Sequence, residues 1–321
     1  MNSNETIKLL KSTIDSKLSP LIDADYVYWD LPYHINIGDT LIWQGTLDFL
    51  ADKPYKMLDF GSSSTASLEE LSEKTVILLH GGGNFGDIYA SSQDFRKHVV
   101  KTYEKNKIII LPQTIYFEDK EKEKNDFQIF SKHENLYLCV RDHESYELAL
   151  KYLNKEKVLL LPDMAFCIKE ETLKKGVSTG KKLLMKRVDL EAIEVNDKYL
   201  KEVDKQSDWP TFEKHTLKSL YLRLLLRMNR KEFNAGYGKK TQLSKYIDDY
   251  AMNYFRKYLL KTGIGFINSY DVVYTTRLHG CILSLLLNKE IILLDNSYGK
   301  NKAYYNVWLK GSENIKVEKS C

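Results

Sequence analysis

Short apolar runs recur along the first half of the chain, each closed by polar residues. They are YVYW (26–29), VILLH (76–80), KIIILP (107–112), LYLCV (136–140) and KVLLLP (157–162). Runs of this length, rich in β-branched residues and apolar throughout, predict strands buried on both faces. Helical segments fall between them: TLIWQGTLDFL after the first, a stretch over 93–104, a charged one over 120–130, and ELALKYLN after RDHES. Strands alternating with helices predict a parallel sheet covered on both sides.

The pattern changes after 168. Residues 169–182 mix Lys and Gly and predict a linker, and KKLLMKR (181–187) predicts the first strand of a second unit. A long helical region is expected over 196–260. DVVYTT, RLHGCILSLLL and EIILLD then form a further strand–helix–strand unit. The expected architecture is α/β: two Rossmann-like lobes facing each other across a cleft. The N-terminal lobe is expected over 1–175 and the C-terminal lobe, with its helical insert, over 176–300. A final segment, 301–321, is helical near 304–308 and returns to the first lobe.

Composition narrows this picture in a few places. At 321 residues the chain exceeds the usual size of one core. The 48 Lys and Arg against 44 Asp and Glu leave a net charge of +4, too balanced to indicate a nucleic-acid partner. The four cysteines, Cys139, Cys167, Cys281 and Cys321, form no CxxC pair and read as free thiols. The first 19 residues lack an apolar core of the signal-peptide kind, and no apolar run reaches the ~18 residues of a membrane span. A cytoplasmic protein is expected.

Parallel sheets bind ligands at the carboxyl ends of their strands, and here those ends are unusually polar. HGGGNFGD (80–87) places Gly81, Gly82, Gly83, Asn84, Gly86 and Asp87 after a strand, as a phosphate or nucleotide cradle at a helix N-terminus would. A tight turn needing positive φ would leave the same pattern. The next strand ends in Pro112 and Gln113 rather than a ribose-binding acid, which argues against NAD. PYHINIGDT (32–40) groups His34, Asn36 and Asp39. Asp39 reads as a general base or as a helix cap. VRDHES (140–145) puts Arg141 at a strand end, facing either an anionic ligand or an ion-pair partner in the other lobe.

TTRLHG (275–280) carries the sharpest signal. Thr275 or Thr276 is expected to cap the helix. Arg277 suits a carboxylate or phosphate, and His279 suits proton transfer. The bland alternative pairs Arg277 with Asp271 or Asp295 and leaves His279 a satisfied core residue. DAD (23–25) matches the D-x-D of metal-dependent glycosyltransferases but reads as solvated surface, and no metal or other cofactor is expected. Residues 212–231 read as a basic amphipathic helix, with Leu217, Leu220, Leu224 and Met228 at helical spacing among Lys214, Lys218, Arg223, Arg227, Arg230 and Lys231. Such a helix contacts an anionic membrane surface or packs on its own lobe with a solvated basic face.

Six of these motifs, taken in order, resemble the polysaccharide pyruvyl transferases. They are NIGD (36–39), HGGGNFGD (80–87), ILPQTIYF (110–117), VRDHES (140–145), LPDMAF (161–166) and YTTRLHG (274–280). LLMKRVDLEA (183–192) with the later DW (208–209) is similar to the exopolysaccharide branch. The resemblance implies a fold like the GT-B glycosyltransferases, with the acceptor and the glycine loop on the N-terminal lobe and the donor on the C-terminal one. It implies phosphoenolpyruvate as donor, a lipid-linked saccharide as acceptor, a pyruvate ketal as product, and work at the inner membrane face. Arg277, Leu278 and His279 would bind the donor, with Arg141 as a second cation. His279 would act as acid and Asp39 as base, with Asp87 as the alternative. His34, Asn36, Gln113 and the glycine loop would contact substrate. The competing expectations are a nucleotide-sugar glycosyltransferase of the same fold and a non-catalytic scaffold of a glycan-assembly complex.

Overall fold

The computed structural model describes residues 1–187, 196–233, 239–295 and 299–318. Part of one family motif (188–192), Cys321 and the side chains of Arg230 and Lys231 lie outside the described residues. Two all-parallel sheets form the frame. The first has the order β2-β1-β3-β5-β6-β7, built from β1 (Tyr26–Trp29), β2 (Met57–Phe60), β3 (Val76–Leu79), β5 (Ile108–Tyr116), β6 (Leu136–Val140) and β7 (Val158–Leu160). The extra strand β4 (Gly82–Gly86) pairs with the far end of β5. The second sheet has the order β12-β11-β10-β8-β9, from β8 (Lys182–Met185), β9 (Lys205–Ser207), β10 (Val272–Thr275), β11 (Glu290–Leu294) and β12 (Ile315–Glu318).

Each strand sends alternate side chains to opposite faces, and this sorts the core. Tyr26 and Tyr28 of β1 join a cluster that also holds Leu183, Met185, Val273, Ile291 and Leu293 of the second sheet. Val27 and Trp29 face a separate cluster beneath α3 (Ala90–Thr102) and α4 (Lys120–Phe130). Leu184, Tyr274, Ile292 and Leu294 fill a third, smaller cluster on the outer face of the second sheet. One apolar core therefore runs unbroken between the two sheets. Helix α2 (Ile37–Leu50) lies in it and is apolar on nearly every side, as a helix buried all round must be. At Gly45 a Cβ would fall 1.9 Å from the Met164 carbonyl oxygen, so only glycine lets α2 approach the turn Met164–Cys167 this closely.

The remaining helices are α1 (Ser3–Leu18), α5 (His143–Leu150), α6 (Asp197–Lys201), α7 (Pro210–Glu213), α8 (Leu217–Phe233), α9 (Gln242–Tyr250), α10 (Arg256–Asn268), α11 (Leu278–Leu286) and α12 (Lys300–Tyr304). Two differences from the sequence pattern stand out. The N-terminal segment forms α1, tied down by an Asn2–Glu5 capping box. The expected helical region over 196–260 is broken by β9, whose short polar run KQS carries no strand signature and is held by pairing with β8. Cys139 and Cys281 are buried and Cys167 half-buried, all as free thiols. No described helix is long and apolar enough to cross a membrane.

Candidate active site

A cavity of about 430 Å³ opens where the carboxyl ends of both sheets meet. Its walls include His34, Asn36, Asp39, Gly83, Asn84, Arg141, Arg187, Arg277, Leu278 and His279. Residues from both sheets are thus needed to close it.

The centre of the site is a carboxylate, Asp163, just beyond β7 and 1% exposed. Its Oδ2 accepts from Arg141 Nη1 at 2.5 Å and lies 3.2 Å from His279 Nε2. Its Oδ1 accepts from the Ala165 N–H at 2.9 Å, capping the turn Met164–Cys167. Burial works against ionisation of this acid, but His279, Arg141 and the Ala165 N–H outweigh it and hold the carboxyl well below the usual range. Arg141 follows β6 and His279 opens α11, so one acid joins a cation and an imidazole from opposite sheets. The ion-pair partner of Arg141 is therefore not in the other lobe, as one sequence expectation had it: Asp163 follows a strand of the same sheet. The Arg141 Nε donates to Thr114 Oγ1 at 2.9 Å, while Nη2 has no hydrogen bond among the described residues and borders Gly83 at the cavity wall.

The Arg277 corner differs from expectation in its partners. Neither threonine caps α11. Arg277 itself occupies the cap position without making a side-chain capping bond, and Thr275 Oγ1 instead accepts the Arg277 N–H at 3.0 Å. No side chain among the described residues caps the α11 N-terminus, whose first N–H groups lie beside Leu278 and His279 in the cavity wall. The guanidinium pairs with Asp208 rather than Asp271 or Asp295, through Nε and, at 2.5 Å, through Nη2. Asp208 is 1% exposed and lies just past β9, and Phe212 lies under the guanidinium at 5.0 Å. The pair fixes the plane of a cation that still borders the cavity. Asp271 instead accepts from Ser178, Thr179 and Gly180 in the linker.

Asp39 lies in the first turn of α2, but the cap is Asn36, whose Oδ1 accepts the Gly38 N–H at 2.9 Å. The Asn36 amide donates to Asp39 Oδ2 at 2.8 Å, and His34 Nε2 is 3.5 Å from the same oxygen. His279 lies over this turn. A Cβ on Gly38 would fall 2.6 Å from its Nδ1, so glycine here is what admits the ring.

The glycine segment does not form a cradle at a helix N-terminus. Gly82 and Gly86 take φ of +136° and +134° within β4, and a Cβ on Gly86 would collide with the Tyr116 carbonyl oxygen at 1.7 Å. Helix α3 begins only at Ala90. Gly83 and Asn84 reach the cavity, Gly81 lines a smaller recess of about 200 Å³ beside it, and Gly82 is buried against Asp39. Asp87 is placed outside both: its carboxylate accepts the N–H groups of Glu118 and Asp119 and shapes the turn into α4. Gln113 is fully buried below the cavity, its amide donating to the His80 carbonyl at 2.7 Å.

Several residues that hold the cavity walls in place were assigned no role from the sequence pattern. Asp163 and Asp208 carried one available signal, an acid just after an apolar strand or before a tryptophan, but their partners lie 69 to 116 positions away in the case of Arg277 and His279. Tyr304 accepts the Asp163 N–H at 2.9 Å, and Trp308 Nε1 donates to the Arg141 carbonyl at 2.8 Å. The segment after β11 thus crosses to the first sheet and braces both members of the Arg141–Asp163 pair.

Known proteins resemble this chain along most of its length. The EpsO protein of Bacillus subtilis (strain 168) is 34% identical over 310 residues, covering 93% of this chain and 91% of that protein. Pyruvyl transferase 1 of Schizosaccharomyces pombe is 26% identical, covering 87% of this chain and 68% of that one. Among solved structures, Klebsiella pneumoniae KP1_0663 superposes with a TM-score of 0.65 at 21% identity, covering 96% of this chain and 98% of its own, and so shares the fold. The polysaccharide pyruvyl transferase profile matches residues 36–298, a span that runs from the cap of α2 past the Arg277–His279 corner, and the chain belongs to that family.

Proposed function

We propose that the protein transfers the pyruvyl group of phosphoenolpyruvate to two hydroxyls of a sugar in a lipid-linked polysaccharide precursor. A pyruvate ketal forms and phosphate leaves. The observation that carries this reading is the sharing of Asp163 by Arg141 and His279 within a cavity also walled by Arg277. Phosphoenolpyruvate bears a carboxylate and a phosphate. Arg141 Nη2, Arg277 and the N-terminus of α11 are cationic or donor groups suited to two anionic ends.

His279, oriented by Asp163 through Nε2, delivers a proton to C3 of the enol, which makes C2 electrophilic. A sugar hydroxyl attacks C2 and gives up its proton to Asp39. The C2–O bond to phosphate then breaks, and phosphate leaves with the bonding pair. A second hydroxyl adds to C2, gives its proton to the now neutral His279, and closes the ketal. Water must be kept from the cationic C2 centre, and a cavity closed by two sheets favours this.

The test is incubation with phosphoenolpyruvate and candidate saccharides, following phosphate release and the mass gain of one ketal. Acceptor-dependent phosphate release that falls about 10²-fold or more in His279→Ala supports the proposal. Consumption of a nucleotide sugar with phosphoenolpyruvate left intact would overturn it, as would full activity in the variant.

A further inference from the structure

Helix α8 carries two apolar faces where the fold uses one. Ser219, Leu222, Leu225 and Asn229 are buried. Asn229 anchors this inner face by donating to the Ser64 carbonyl at 2.7 Å and accepting from Ser244 Oγ at 2.8 Å. A second stripe points outward: Leu217, Leu220, Tyr221, Leu224 and Met228. These positions follow helical spacing and lie on one side. Their exposures are 86%, 46%, 40%, 54% and 50%, far more contiguous apolar surface than a helix needs to pack on its own protein.

Charge and aromatic residues frame the stripe. Arg223 and Arg227 lie exposed on α8 beside it and have no ion-pair partner among the described residues. On the other side, Lys218, Lys257 and Lys261 line a shallow groove with Tyr250, Tyr254 and Tyr258. Tyr246 and Tyr254 are 49% and 63% exposed, and the Tyr246 hydroxyl meets that of Tyr221 at 2.8 Å. Exposed leucines, ringed by tyrosines and by cations that have no acidic partner among the described residues, match the layered chemistry of an anionic phospholipid surface: acyl chains, a headgroup belt, and negative charge.

We infer that the outer face of α8 docks the protein on an anionic bilayer. The docking itself stands apart from the proposed reaction, but the two meet in one residue. Leu226, toward the inner side of α8, lines the recess that also holds His34, Asp39 and His80. Docking would therefore hold that recess about one helix diameter, roughly 10 Å, from the lipid. If the proposed function is right, a lipid-linked saccharide then has a short path to Asp39.

The test is flotation of the full chain with vesicles of phosphatidylglycerol mixed into phosphatidylcholine, against phosphatidylcholine alone, at low and high salt. The chain should float with the anionic vesicles only, and less so in high salt. Replacing Arg223 and Arg227 by Gln should weaken partitioning about 30-fold, at about 1 kcal/mol for each basic residue. Leu224→Glu with Met228→Glu should abolish it. The unchanged melting temperature of each variant guards against misfolding, and Leu217→Glu, at the most exposed position, serves as a second apolar variant. Failure to bind anionic vesicles, or binding that survives all three changes, overturns the inference. So does a wild-type dimer that the glutamate variants convert to monomer, because a second copy would then cover the stripe. Every one of these readouts is independent of pyruvyl transfer.

Discussion

Asp163→Asn is the most informative single change. The carboxylate is buried, and each of its oxygens faces donors: Arg141 Nη1 and His279 Nε2 at Oδ2, the Ala165 N–H at Oδ1. An amide can accept at only one end. Whichever way it turns, its NH₂ group confronts an N–H, and Arg141 is left as a buried cation without a counter-ion. Breaking a buried pair in this way costs about 3–5 kcal/mol. At about 2–4 °C per kcal/mol the melting temperature should fall by roughly 6–20 °C.

Activity should fall further than stability explains. An imidazole deprived of its orienting carboxylate loses up to about 10⁴-fold in kcat. The Michaelis constant for the anionic donor should also change, because the same oxygen positions Arg141. The pH dependence supplies a separate readout. The folded-state pKa of Asp163 is depressed, so its contribution to stability is present above the unfolded value near 3.8 and is lost as pH falls below it. The variant should lack that acid limb. The assay is phosphate release from phosphoenolpyruvate with an active saccharide, alongside thermal unfolding from neutral to acid pH. A variant that turns over within about threefold of wild type and melts at the same temperature would refute the assignment of Asp163 as the organiser of the site.

Gly38→Ala places a Cβ against the His279 ring and should cut turnover about tenfold or more with little change in melting. Gly45→Ala meets backbone at Met164 and should instead fail to yield stable protein, as circular dichroism would show. Arg277→Lys loses the two-point contact with Asp208, so donor binding by calorimetry should weaken by about 1.5 kcal/mol or more. His80 is buried, with Nδ1 on the Tyr28 hydroxyl and no partner for Nε2 among the described residues, and burial lowers its pKa from 6.5 to about 3. Its folded form binds fewer protons, so its stability contribution is full above pH 6.5 and is lost as pH falls toward 3. That amounts to about 2 kcal/mol between pH 7 and 5. Asp248, raised to about 6 by burial, acts in the opposite direction over the same interval. The check is therefore the difference in urea unfolding between wild type and His80→Gln, which should shrink as pH falls.

Most strands of the two sheets were legible because they are short apolar runs between polar stops; β4 and the polar β9 were not. The cap of α2 was not, since Asn36 and Asp39 are both good caps, and only the path of the backbone shows that Asn36 accepts the Gly38 N–H. The glycine segment misled in a similar way. Its spacing fits a phosphate loop, but the chain continues past β3 as β4, because Tyr116 at the end of β5 offers a backbone that only a glycine can approach. α8 was readable as amphipathic, yet which apolar stripe faces inward depends on where Ser64 and Ser244 stand.

By itself the sequence determined that this is a parallel α/β protein with polar residues gathered at strand ends, and that Arg141, Arg277 and His279 are candidates for anion and proton chemistry. Those features are local: apolar period, chain length and side-chain type suffice. Only the tertiary structure decided that Asp163 joins Arg141 to His279, that Asp208 holds Arg277, and that Asp87 serves a turn. Such pairings link residues far apart in the chain. They arise because two sheets packed on one apolar core bring their carboxyl ends together, where each buried cation requires an acid to offset its lost hydration.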